Sequence, residues 1–258
     1  MTMRTLKTMM ALALMALLLP SICPAGDFHG KIVKSRGEVL IRNQNGEERT
    51  PEVSDYIAVT DEEINTHAGG RAVVTFTNGS ITVIGENSRL GIEKPTLFAQ
   101  LKGKILFAFA RDAGPTRMVR TPSAVFGVRA TSFVVDAGED GDTLSLKEGL
   151  VHVEAPQGAF EIHRQTEQDE LAAFKAEMEK GVTDMKQEGD AFIQKEKDDY
   201  VAFKKSFLLE ADQVIRIRGN RVDQRAMVPA DKTVFEDLEG FAGEFLDAYR
   251  HEKTDDVQ

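Results

Sequence analysis

The stretch "RAVVTFTNGSITVIG", Arg71 to Gly85, narrows the possible folds more than any other part of the chain. Two alternating apolar runs flank Asn78-Gly79. That dipeptide accepts the left-handed backbone of a primed two-residue turn, whose twist matches the twist of paired strands. The same pattern runs from Phe28 to His163. "GEVLIR" precedes the turn "NQNGEE", and "LFAQLKGKILFAF", "TSFVVDAG", "TLSLKEG", "LVHVEAPQG" and "AFEIH" follow. Short strands at this spacing, with no helical stretch among them, predict a mainly β domain over residues 28–164, built as a solenoid, a sandwich or a barrel.

The period changes at Gln165. Leu171, Phe174, Met178, Val182, Met185, Phe192, Tyr200, Phe203 and Phe207 advance in helical steps, while Lys and Glu fill the other faces. This predicts an inserted amphipathic helical arm over residues 165–212, its apolar stripe available to a partner protein or to a second copy. Thr166 followed by Asp169 resembles a helix start. "LAAFK" and "YVAFK" echo each other 29 residues apart, on one side of a continuous helix. Two geometries fit: one rod of roughly 65 Å, or a hairpin broken between Gly181 and Gly189. "QVIRIRGNRV" then returns to a β pattern, giving a hairpin over residues 213–230 and favouring the broken arm. Phe235, Leu238, Phe241, Phe245 and Tyr249 share a face of a C-terminal amphipathic helix over residues 231–250, expected to cover an open edge or end of the β domain. Residues 251–258 read as a frayed tail.

Residues 1–25 read as a secretory signal peptide: Arg4 and Lys7, an apolar run from Met9 to Leu19, Pro20, and a small-residue cleavage site after Ala25. The run is shorter than the ~20 residues of a spanning helix. Export places the mature chain in the periplasm, without a stable membrane span. The alternatives are secretion, an uncleaved anchor, or a lipid anchor at Cys23, which the bulk of Ile22 disfavours. Cys23 is the one cysteine, so the mature chain has no disulfide.

Removing the leader leaves 30 basic against 42 acidic residues, a net charge of −12. Residues 165–212 hold 7 basic and 13 acidic residues and residues 231–258 hold 3 and 9, so the remainder balances. An acidic surface of this kind argues against nucleic acid and anionic lipid as partners.

No reactive constellation emerges. His29, His67, His152, His163 and His251 lack metal-ligand spacing, and no Gly-x-Ser-x-Gly elbow is present. "GEDGD" lacks the alternating ligands of a calcium loop and reads as a hairpin turn. "HAGGRA" precedes a strand rather than a helix, unlike a phosphate loop. The expectation is a non-enzyme with no cofactor and no metal. Arg111, Arg117, Arg120 and Arg129 gather closely enough to receive an anion or a partner's carboxylate; a solvated face is the plainer alternative.

The most deliberate spelling is a series of turn and strand signals: Gly70, Arg71 and Ala72; Asn78, Gly79 and Ser80; Thr121 and Pro122; Gly127, Val128, Arg129, Ala130 and Thr131; Glu148 and Gly149. Pro122 fixes its own φ and holds Thr121 extended. Gly127 permits a sharp bend, and Thr131 to Val135 forms a strand with Phe133 and Val135 on one face. In this order and spacing the series resembles the FecR domain, over about Gly30 to His163. The resemblance implies a solenoid-like β domain in the bacterial envelope and a regulatory, non-catalytic role. Ala130 departs from it, standing where the family usually has glycine, which puts a left-handed backbone there in question. The best-known members relay a signal from an outer-membrane receptor to a sigma factor through a cytoplasmic helical domain. This sequence shows no such domain before its apolar leader. The expected role is therefore a periplasmic interaction, signalling or scaffold module with an envelope protein as partner. The alternative is a ligand- or glycan-binding module, against which the absence of Trp and the presence of three Tyr count.

Overall fold

The computed structural model describes residues 30–57, 62–77, 79–94, 96–110, 116–164 and 201–247. Their strands join into one continuous sheet that doubles back into two legs. The first leg is built from β4 (Tyr56–Ile57), β1 (Gly30–Arg36), β6 (Arg71–Phe76) and β7 (Ile81–Ile84), each paired to the next. It continues through the later parts of β9 (Leu97–Ala108) and β11 (Val125–Gly138) and the start of β12 (Gly141–Glu154). β16 (Gln213–Arg218), β17 (Arg221–Ala226), β13 (Phe160–Arg164) and β14 (Val201–Lys204) complete it.

The second leg runs through β3 (Glu48–Arg49), β2 (Val39–Asn43), β5 (Glu62–Thr66) and β8 (Arg89–Lys94) to the start of β9. From there it passes to β10 (Arg117–Arg120), the start of β11, the end of β12 and β15 (Ser206–Glu210). Three strands therefore serve both legs, and the chain winds as a flattened coil. This is the mainly β architecture that the turn signals predict, in the solenoid-like form that the resemblance implies.

Alternation places the core between the legs. Ile32, Val74, Phe76, Phe98, Phe107, Phe126, Phe133, Val135, Leu146, Val153 and Phe160 are all buried in one cluster. Phe76 of the first leg meets Phe98 of the second edge-on, with ring centroids 5.2 Å apart. Phe107 stacks on Phe133 at 5.3 Å and on Phe109 at 5.8 Å.

A helix, α1 (Pro229–Ala242), follows β17. Pro229 suits its first turn. Val228 has no side chain able to cap, and Asp231 compensates by accepting the Val228 amide at 2.8 Å. Phe235, Leu238, Ala242 and Leu246 bury against Val73, Val83, Leu106 and Val134. The helix therefore covers the outer face of the first leg, not an edge or end of the domain. Leg one is apolar on both faces over β6, β7, β9 and β11, as the unbroken burial of "ITVI" in β7 records, and such a face needs a cover.

Residues 201–210 correct the predicted extent of the helical arm, because they are strands. Phe203 lies in β14 and Phe207 in β15. The spacing of Tyr200, Phe203 and Phe207 fits a helix, but Val201 with Phe203 and Phe207 with Leu209 fit two strands broken at Lys205. The free pairing edges of β13 and β12 decide between the two. The rest of the stripe, Leu171, Phe174, Met178, Val182, Met185, Phe192 and Tyr200, lies outside the described residues, as do the leader and Tyr249.

Candidate functional site

The family-like residues converge on the corners of the coil. β11 pairs with β12 from Val125↔Glu154 to Gly138↔Gly141, with a register break after Arg129. There Ala130 and Thr131 oppose Gly149 alone, which is a β-bulge. Ala130 has φ 53° and Gly149 has φ 92°. A Cβ on Gly149 would fall 2.6 Å from Thr131 Cγ2 and 2.8 Å from the Ala130 carbonyl oxygen. The bulge turns both strands from one leg to the other, so the left-handed backbone is kept at Ala130 although the residue is not glycine.

The remaining motif residues are equally architectural. Thr121 and Ala124 close a turn, with Thr121 N–H to Ala124 C=O at 2.9 Å. The buried Asp142 accepts the Ser123 amide at 3.0 Å and pins that turn to the β11–β12 hairpin. Gly79 has φ 78°, and the buried Ser80 hydroxyl accepts the Ala110 amide at 3.2 Å. Gly70 is needed for close approach, since a Cβ would lie 2.2 Å from the Glu38 carbonyl oxygen. Ala72, Val128 and Thr131 are buried and Glu148 is exposed. Gly127 makes no bend: it sits mid-strand between Met118 and His152, with ordinary room for a Cβ. Asn78 lies outside the described residues.

Arg71 has a role that local sequence reading misses. Its guanidinium grips Asp237 of α1 with two contacts, at 3.0 and 2.8 Å. Lys34, Arg36 and Arg71 surround the Phe241 ring at 5.1, 5.5 and 5.9 Å. These cations also sit towards the negative end of the helix. Lys147 to Glu239 at 2.6 Å and Arg225 to Asp231 at 2.6 and 2.8 Å complete the clamp. The Asp231 carboxyl is held below its usual range by the Arg225 hydrogen bonds, against opposing burial, with help from the Val228 amide.

Among the described residues the arginines do not form one cluster. Arg117 is buried, with its guanidinium 5.7 Å from the Phe109 ring centroid. Arg120 projects to the opposite face of β10 and pairs with Glu93. Arg129 is exposed at the bulge, and Arg111 lies outside the described residues. On the second leg, Gly91, Ala99, Arg42, Arg89, Glu63 and Glu93 are among the residues lining a groove of about 320 Å³ that no aromatic ring lines. Among the described residues, no three of His, Cys, Asp and Glu converge as metal ligands would, and no helix is long and apolar enough to cross a membrane.

The family model described as FecR protein matches residues 62–152, from β5 into the second half of β12. The chain carries a FecR domain. Two crystal structures of a candidate anti-sigma factor from Parabacteroides distasonis, at 1.65 and 2.50 Å, are similar to this chain at 17% identity. Each match covers 66% of this chain and 62% of that one, with a TM-score of 0.44. No curated protein matches the sequence. β13 to β17 and α1 lie beyond the matched stretch, yet β13, β15, β16 and β17 contribute Phe160, Ile162, Leu209, Ile215 and Val222 to the same core.

The flanks of residues 165–200 are the other notable feature. β13 and β14 pair antiparallel from Phe160↔Lys204 to His163↔Val201. The segment therefore leaves and re-enters the sheet at directly opposed residues, as the turn of an ordinary hairpin would.

Proposed function

We propose that this protein is a non-catalytic signalling module of the bacterial envelope, exported to the periplasm, and that residues 165–200 carry its contact with a partner protein. The observation that carries the reading is the pairing of His163 with Val201 in the same sheet as the FecR-matched strands. A segment hung between opposed residues of one hairpin can be long without disturbing the sheet. Its apolar stripe from Leu171 to Tyr200 exceeds what a hairpin turn needs. The FecR domain is then the rigid platform, and the acidic, amphipathic segment is what it displays.

The test is affinity capture from an envelope extract, with the whole chain beside a chain in which residues 165–200 are replaced by a short Gly-Ser turn. Loss of a specific envelope protein from the second bait supports the reading. Capture of the same protein by both baits moves the contact to the FecR domain and contradicts it.

A further inference from the structure

The coil ends differently at its two sides. On one side the legs finish in β3 and β4, two residues each, and the Ile32 amide and carbonyl are met by Asp55 and Ser54. Such short edges discourage further pairing. On the other side the legs finish in β14 and β15, consecutive in sequence and joined through Lys205. Among the described residues each has a neighbour on one side only. Neither strand contains proline or a bulge, and Phe203 and Leu208 are 68% and 57% exposed.

The direction of the free backbone groups in β15 follows from its register. The Ala155 amide donates to the Lys205 carbonyl at 2.9 Å, and antiparallel pairs alternate between bonded and non-bonded. Phe207 and Leu209 therefore exchange bonds with β12, while Ser206, Leu208 and Glu210 aim N–H and C=O away from it. The Glu210 amide reaches the Gln213 side chain at 3.4 Å. Leu208 stands at the centre of this row.

We infer that β15 is a pairing seam for a second copy of this chain, antiparallel to itself across a two-fold axis at Leu208. The sequence "SFLLE" is self-complementary in that register. Leu208 meets its own copy on the exposed face, and Phe207 meets Leu209 on the core side, where Phe207 already packs edge-on against Phe160 at 6.0 Å. Ser206 faces Glu210 twice, so no like charges oppose each other. A two-fold axis generates antiparallel pairing without any further requirement. The seam is independent of residues 165–200.

Sedimentation velocity of the purified chain over a range of concentrations tests this. A monomer–dimer equilibrium is expected, abolished by Leu208→Lys while the thermal unfolding transition is kept. Ser206→Lys creates two opposite-charge pairs with Glu210 and tightens the dimer about three- to tenfold, and Ser206→Glu loosens it by a similar factor. The backbone amide of Leu208 becomes slower to exchange as the dimer fills. A chain that stays monomeric up to about 1 mM overturns the inference. So does a dimer indifferent to charge at residue 206, or one lost only when residues 165–200 are replaced.

Discussion

The β11–β12 and β13–β14 hairpins share a pairing geometry and differ in everything that closes them. In the first, long strands are joined by a two-residue turn, Glu139-Asp140, and bent round a corner by a bulge in which Gly149 has no room for a Cβ. In the second, four residue pairs stand at the mouth of residues 165–200. One hairpin spends its sequence on shape. The other sets four residue pairs at the ends of a 36-residue segment. The contrast suggests that stability and recognition reside in separate parts of this chain, and several substitutions can break or sharpen it.

The largest loss is expected where the framed part is covered. Phe235→Ala opens a gap between α1 and the outer face of the first leg and should destabilise the protein by about 3–5 kcal/mol in urea unfolding. Gly149→Ala comes next, at about 2–4 kcal/mol, because the new methyl meets Thr131 and the Ala130 carbonyl at a backbone angle that favours glycine. Equal stability of either variant would mean that the bulge or the helix is ornamental.

The clamp on α1 gives a pH signature. Asp231 has a lowered folded pKa, so the unfolded chain binds its proton first as pH falls. Its stabilisation is complete above the unfolded value of 3.8 and is lost as pH drops through the lower folded value. Asp223 adds the same sign: burial raises its pKa, but the hydrogen bonds and positive charges of Arg221 and Arg218 together lower it further. Asp231→Asn should cost about 1–2 kcal/mol at pH 7 and flatten the acid limb of the stability–pH curve. An unchanged limb would remove Asp231 from the account. Smaller and opposite in sign, Ala130→Gly should stabilise by about 0.5–1 kcal/mol, since glycine holds φ 53° without strain.

Much of this was legible in the sequence, and the misses have local causes. Asn78-Gly79, Thr121-Pro122 and Glu148-Gly149 spell turns and corners that alternation alone would leave blurred. Arg117 and Arg120 looked like neighbours in a list, yet residues three apart on a strand face opposite ways, so that separation could have been read. Residues 201–210 could not be settled by periodicity, because their apolar positions satisfy helical and strand spacing together and only the waiting edges of β12 and β13 choose. The ion pairs that clamp α1 join Arg71 to Asp237 and Lys147 to Glu239. Pairs so distant in sequence leave no local mark.

The central claim is that residues 165–200 are carried by the fold without supporting it. Thermal unfolding of the chain with that segment replaced by a short Gly-Ser turn tests it most directly. The account predicts one cooperative transition within about 4 °C of the parent, the shift of a change under roughly 1 kcal/mol. A transition lowered by tens of degrees, or one that loses its cooperativity, would show that the segment is part of the core's cover and would contradict the separation of platform from displayed segment.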